Sequence, residues 1–452
     1  VTPAARVQAG IDLLAATAAA PQAPADAVAN SWFRARRYIG AGDRRAIADR
    51  HWAMLRNEAR LAWTLKRARA PITERTMILA QLIAEGAGAD AVAGLFSGAL
   101  HGPPPLSDAE RRALHALAAL PGDDPAMPED VRHGVPAWLL PHLAARFGGA
   151  LAAEMAAMEV PASTDLRANL LKTTREAARA ALAAEGITAA PTPFSPWGLR
   201  IEGRRPVTGT AAFREGLVEI QDEGSQLIAL LLDARPGERV VDFCAGAAGK
   251  TLALAATMGN RGRLVACDVS ASRLEASVKR LRRAGVGNVE RRLLEPGERW
   301  TKRSAEGFDR VLVDAPCTGT GTWRRNPDAR SRLTEQDLAE LVAKQAAILD
   351  RASRLVKPGG KLVYATCSLL PEENEAQVAG FLDRRKDFSL VPMPDAWRAV
   401  SAAPPPCEGP FLSLTPARHG TDGFFAAVLR RDAPAAGAAA AGAAAAPDGG
   451  AA

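Results

Sequence analysis

The chain has 452 residues, 48% of them hydrophobic, enough to bury a sizeable core, and at roughly 150 residues per domain it divides into about three domains. A formal net charge of +7 favours a polyanionic partner, since clustered Lys and Arg gain affinity by releasing counterions from phosphates. Five widely spaced cysteines without a CxxC pair and six scattered histidines exclude a disulfide framework and a zinc finger, and no apolar run reaches the 18 or so residues of a membrane span. From these features a reducing, cytoplasmic setting without metal or membrane is expected, with nucleic acid a candidate partner; oligomeric state is open, with monomer the default.

The apolar stretch after Arg6 is interrupted by Asp12, and Val7, Ile11 and Leu14 share one helical face, so it reads as an amphipathic helix rather than an export signal. The helical pattern continues to about Leu120, with a capping box at Ser107 and Glu110. Residues 1–130 are therefore expected to form an all-α domain. The Pro-, Gly- and Asp-containing stretch Pro121 to Pro136 breaks that pattern, and residues 131–215 read as a small mixed α/β segment. Over residues 216–431, short β-like runs (Val240 to Cys244, Leu264 to Asp268, Arg310 to Asp314, Leu362 to Thr366, Phe424 to Leu429) alternate with amphipathic helices. Such alternation predicts an open, mainly parallel α/β sheet with helices on both faces. Residues 432–452 are Ala, Gly and Pro with almost no large side chains and are expected to be disordered.

The turn Asp242-Phe243-Cys244-Ala245-Gly246-Ala247-Ala248-Gly249-Lys250-Thr251 lies where the first parallel strand meets its helix, the position at which such sheets bind nucleotides. Gly249-Lys250-Thr251 imitates a P-loop, but Cys244 stands where that motif needs glycine. Asp268 ends the next strand, placed to accept hydrogen bonds from ribose hydroxyls. A ribosylated cofactor fits, and on the turn alone a nicotinamide cofactor fits too. Further on, Asp314-Ala315-Pro316-Cys317 and Thr366-Cys367-Ser368 each end a strand with a cysteine. Taken singly, either thiol reads as core packing. Together, beside Asp314, they suggest two thiols facing one substrate.

These three motifs, Cys244 to Lys250, Asp314 to Cys317 and Thr366 to Ser368, resemble those of the RNA (cytosine-5) methyltransferases of the RsmB/NOP class. Gln221-Asp222-Glu223-Gly224-Ser225-Gln226 and His419-Gly420-Thr421-Asp422-Gly423-Phe424-Phe425 support the likeness. The helical amino-terminal region is similar to transcription antitermination factors through Arg36-Arg37-Tyr38 and Asp43-Arg44-Arg45. The resemblance implies a Rossmann-like domain that uses S-adenosyl-L-methionine, with Cys244, Ala245, Gly246, Ala247, Ala248, Gly249 and Lys250 along the cofactor, Asp268 on its ribose and Asp314 near its reactive end. Two departures stand out. Ala247-Ala248-Gly249 replaces Pro-Gly-Gly or Ala-Gly-Gly, adding a methyl group that is expected to weaken cofactor binding. The acidic residue expected on adenine has only Glu295 as a substitute.

The chemistry implied explains the residues. Carbon 5 of cytosine is a poor nucleophile until a thiolate adds at carbon 6. The resemblance makes Cys367 that nucleophile, Cys317 the residue that assists release, Asp314 the contact at ring nitrogen 3 and Lys250 the nearby positive charge. DNA cytosine methyltransferases attack instead with the cysteine of a Pro-Cys pair, here Cys317. In the following loop, Trp323 either stacks on an unpaired base while Arg324 and Arg325 hold phosphates, or packs into the protein with the two arginines solvated. The expected activity is 5-methylcytosine formation in 16S ribosomal RNA; transfer RNA, and a non-catalytic RNA-binding protein on the same fold, are the alternatives.

Overall fold

The computed structural model describes residues 1–122, 124–203 and 205–433; the expectation for the Ala-rich tail falls almost wholly outside them. The chain divides into two compact units, Val1–Pro161 with Thr322–Asp337, and Ala162–Gly321 with the chain from Leu338 onward.

The first unit is helical. Its longest elements are Pro3–Ala18, Ala41–Arg67 and Asp108–Ala119, and helices continue through Leu140–Phe147 and Leu151–Glu159. Val7 and Ile11 are buried on one face of the first helix, as their spacing predicts. Ser107 accepts from the Glu110 backbone N at 3.2 Å while the Glu110 carboxylate accepts from the Ser107 N at 2.8 Å, so the capping box is present. None of these helices, nor any other among the described residues, is long and apolar enough to cross a membrane.

Thr322–Asp337 belongs to this helical unit, and of the two readings of Trp323 the packed side chain is the one found. Trp323 is 0% exposed, with the Arg330 guanidinium 5.2 Å from its ring centroid. Arg330 is itself paired with Glu159 at 2.6 Å, Arg56 donates to the Arg324 carbonyl at 3.2 Å, and the Arg324 side chain is buried. Trp323 fills a core instead of facing solvent because these packed partners surround it.

The second unit opens with a four-stranded antiparallel sheet, β1 (Thr164–Ala168), β2 (Ala189–Pro191), β3 (Gly198–Ile201) and β4 (Val218–Ile220), in the order β2-β3-β1-β4. The main sheet follows: β5 (Arg239–Asp242), β6 (Arg263–Asp268), β7 (Val289–Leu293), β8 (Phe308–Asp314), β9 (Val356–Thr366), β10 (Phe388–Val391), β11 (Leu412–Leu414) and β12 (Phe424–Arg431). Its order is β10-β12-β9-β8-β5-β6-β7, with β11 paired to β12. Strands β5 to β9 run parallel, and β10, β11 and β12 pair antiparallel. This is a Rossmann-like arrangement.

Both faces of the central strands are covered, which is why they read as unbroken hydrophobic runs. Val240, Leu312 and Val363 pack with Leu227 and Leu254 on one side. Val241, Val311, Val313 and Tyr364 pack with Leu349 and Phe381 on the other. The strand order reverses between β5 and β8, and a crevice forms at the carboxyl ends on either side of such a switch point.

The loop after β8 is fastened to the start of β12. Gly321 N donates to the Cys367 carbonyl at 2.9 Å, and Gly423 N donates to the Gly321 carbonyl at 2.8 Å. A Cβ at Gly321 would lie 2.3 Å from the Gly423 carbonyl oxygen, backbone against backbone, with no flexible atom to yield. Gly321→Ala is accordingly expected to lower stability by about 1–3 kcal/mol, read as a fall in the urea midpoint against wild type.

Candidate active site

Four strand ends supply the site. Residues following β5, β6, β8 and β9 line one cavity of about 610 Å³, whose wall includes Phe243 to Ala247, Asp268, Asp314 to Cys317 and Cys367. The cofactor turn, the ribose candidate and both thiols, far apart in sequence, thus face one space. The wall also carries Val269, Leu294 and Ile348, and the exposed cations Arg273 and Lys344, which no motif singled out.

The two thiols are adjacent. Cys317 Sγ and Cys367 Sγ are 3.4 Å apart, both unbonded covalently. Parallel pairing brings them there: Asp314 lies opposite Ala365, and Ala315 N donates to the Ala365 carbonyl at 2.8 Å. Contact with Cys367, and then burial, push the Cys317 thiol well above its ordinary range. Burial likewise pushes up the Cys244 and Cys267 thiols, of which Cys244 lines the cavity and Cys267 is buried in the core.

Lys250 is placed to act on this pair. It lies in the first turn of the helix Gly249–Thr257, and its Nζ donates to Asp314 Oδ2 at 2.6 Å. Burial opposes its charge, but the Asp314 carboxylate, its hydrogen bond and the neighbouring Cys367 more than offset that, so the ammonium form is favoured.

The turn is braced from below. Asp268 accepts from Gly246 N and from Ser270 N, each at 2.8 Å, tying the end of β6 to the turn. Arg280 donates to the Ala247 carbonyl at 2.7 Å, and Arg167 on β1 donates to the Gly249 carbonyl at 3.0 Å. The small sheet therefore supports the cofactor turn directly.

Ala248 alters one expectation. Its φ is +66°, a conformation that costs a side-chain-bearing residue about 1–2 kcal/mol. Its methyl group does not enter the cavity; it is buried against Leu252, Leu281 and Ala284, a gain of about 0.8 kcal/mol that offsets much of the strain. The idea that this methyl crowds the cofactor is overturned. Gly249 also lies outside the cavity wall, and Lys250 reaches it only through Asp314. Glu295 is exposed, and Leu294 occupies the wall in its place.

A further group surrounds the cysteine loops. Buried Glu373 accepts from Thr318 N at 2.9 Å, Thr318 Oγ1 at 2.5 Å and Gln345 Nε2 at 2.8 Å. Ser368 Oγ meets Thr318 Oγ1 and Thr320 Oγ1 at 3.3 and 3.2 Å, and Asn374 Nδ2 donates to the Ser368 carbonyl at 2.9 Å. The one signal available in the sequence was Glu372-Glu373-Asn374, a polar run just after Thr366-Cys367-Ser368.

Two outcomes follow from the turn. Ala248→Gly is expected to leave cofactor affinity, measured by calorimetry, within about twofold and stability within about 1 kcal/mol, since strain relief and lost packing oppose each other. Asp242, at the end of β5, is 1% exposed; burial raises its carboxyl from 3.8 to about 7 although Thr251 donates to it at 2.7 Å. A raised folded-state pKa gives stability that is fully present below the unfolded value and is lost as pH rises through the folded one. The stability of Asp242→Asn minus that of wild type should therefore grow by up to about 1.4 kcal/mol per pH unit across pH 5–7 and level off above 7, measured as paired urea midpoints.

Comparison with known proteins agrees with this geometry. A family model described as 16S rRNA methyltransferase RsmB/F matches residues 229–430, and one described as the RsmF/B-like ferredoxin-like domain matches residues 135–208. A probable ribosomal RNA small subunit methyltransferase B of Bacillus subtilis (strain 168) is 30% identical over 332 residues, 72% of each chain. Another, of Synechocystis sp., is 37% identical over 273 residues and 60% of each chain, so the match spans about three fifths of that relative's length. A crystal structure of a methyltransferase homolog protein from Pyrococcus horikoshii superposes with a TM-score of 0.58 at 31% identity, covering 68% of this chain and all of that one. The fold and its cavity are those of an S-adenosylmethionine-dependent methyltransferase, and the chain belongs to the RsmB/F family of 16S rRNA methyltransferases.

Proposed function

We propose that the protein methylates carbon 5 of a cytosine in 16S ribosomal RNA, with Cys367 as the nucleophile and Cys317 as the residue that assists release. The observation that carries this reading is the 3.4 Å approach of two free thiols in one cavity with Asp314 and the turn after β5. The 16S substrate comes from the family and from the names of the relatives. When bound, S-adenosylmethionine supplies an electrophilic methyl group, and Cys244 to Ala247 with Asp268 would hold it. Glu295, exposed outside the cavity wall, is not assigned to the adenine.

The protein's own groups divide the remaining work. The Cys367 thiolate, beside the Lys250 ammonium, forms a bond to carbon 6, and the displaced ring electrons are met by a proton at nitrogen 3. Asp314 delivers that proton, with Lys250, 2.6 Å from Oδ2, as its source. Carbon 5 is then nucleophilic. Once it is methylated, its proton leaves to a water held against the Cys317 thiol, nitrogen 3 returns its proton through Asp314 to Lys250, and the carbon–sulfur bond breaks to return Cys367 as thiolate. The raised Cys317 thiol fits a group that holds a proton rather than one that attacks first. A base stacked in a helix cannot reach two thiols in a cavity, so the target is unpaired or flipped out. The helical amino-terminal region is read as a second RNA contact.

A denaturing gel tests the assignment. Cys317→Ala with cellular RNA and S-adenosylmethionine is expected to accumulate a retarded covalent adduct. Cys367→Ala and the double variant should give none, and turnover should fall by on the order of 10³-fold in each. An adduct with Cys367→Ala instead would reverse the roles. No adduct in any variant, with no methyl transfer by wild type, would leave only RNA binding.

A further inference from the structure

Cys317 sits in a loop, not in a strand, so something outside the sheet must fix its sulfur against Cys367. The residues on either side of it are both held. Gln345 Nε2 donates to the Pro316 carbonyl at 2.9 Å and to Glu373 Oε1 at 2.8 Å. The same Glu373 carboxylate accepts from the Thr318 backbone and hydroxyl. Glu373 in turn is fixed by Tyr364, whose hydroxyl donates to its carbonyl at 2.6 Å. Glu373 is 0% exposed, and among the described residues no Lys or Arg forms an ion pair with it. A buried carboxylate without a cation is costly, and its three donors all belong to, or hold, the Cys317 loop.

We infer that Glu373 is the positioning residue that holds Cys317 opposite Cys367, and through that contact sets the release step. The inference rests on the proposed assignment of release to Cys317, but the positioning itself does not. Glu373 does not itself line the cavity; it positions Cys317 through the loop. Its negative charge also disfavours ionisation of Cys317.

Two measurements on full-length protein separate the positioning from the reaction scheme. The first needs no RNA. Diamide takes two electrons and two protons from a pair of thiols as one disulfide forms, so the rate of Cys317–Cys367 cross-linking, read by mass spectrometry, reports their approach. Glu373→Ala should slow it by about tenfold or more while Glu373→Gln, which keeps an acceptor for Thr318 N in place of the carboxylate, stays within about threefold of wild type. Thr318→Val, which loses the hydroxyl's contacts with Glu373 and Ser368 but no buried charge, should fall between them if Glu373→Ala folds poorly. A wild-type rate in both Glu373→Ala and Thr318→Val overturns the inference.

The second measurement compares single and multiple turnovers. Glu373→Ala should leave single-turnover methyl transfer within a few-fold of wild type, lower steady-state turnover by up to about 10²-fold through misplacement of Cys317, and accumulate the covalent adduct. Equal loss in both regimes with no adduct, while Cys317→Ala still accumulates one, overturns the link to release. No adduct with Cys317→Ala removes the release assignment instead, and the cross-linking rates then decide the positioning alone.

Discussion

Everything at the site depends on the parallel pairing of β8 with β9. Two parallel strands end on the same side of a sheet, and the register that sets Asp314 opposite Ala365 brings both following cysteines to one level. Antiparallel pairing would send the two strand ends to opposite edges. The β5–β8 pairing then adds the cofactor turn beside them. Because β8 and β9 are buried on both faces, the pairing is fixed by packing that no ligand has to provide. Precision in the thiol–thiol distance is thus inherited from the core.

That inheritance stops at the strand ends, where loops take over. Cys367 is only one residue past β9, whereas Cys317 lies beyond Pro316 in irregular chain. The buried polar cluster of Glu373, Gln345, Thr318, Ser368 and Asn374 substitutes for sheet hydrogen bonds there. Such networks are specific because each member left unsatisfied would be costly. The same logic applies under the cofactor turn, where Arg167, Arg280 and Asp268 take up backbone groups that the helix and strand leave unpaired.

Much of this was legible in the sequence, for definite reasons. The strands were visible because burial on both faces makes Val311-Leu312-Val313 and Leu362-Val363 continuous apolar runs, and the pairing of thiols followed from two motifs at equivalent strand ends. Trp323 stayed undecided between stacking and packing because an aromatic among Gly, Thr and Arg fits a binding loop as well as a core, and the helical unit it packs into is built largely from residues distant in sequence. Ala248 was misread because motif position says how close a backbone comes to a ligand, not which way its Cβ points. Glu373 was passed over since a polar run near a strand end ordinarily reads as a solvated turn, and only the fold reveals that it is buried.

The placement of charge closes the argument. Asp242, Asp268 and Asp314 end three neighbouring strands, and three carboxylates together would oppose a thiolate at Cys367. Each is handled differently. Asp268 is satisfied by two backbone N–H groups, Asp314 is paired with Lys250, and Asp242, buried with one oxygen unpartnered, keeps its proton up to about pH 7. Were Asp242 ionised, Lys250 would face two carboxylates and its field at Cys367 would be largely cancelled. A buried acid whose ionisation is pushed up towards neutral pH by desolvation thus opposes the lysine's charge less than an ordinary carboxylate would, and it does so from beneath the turn without lining the cavity.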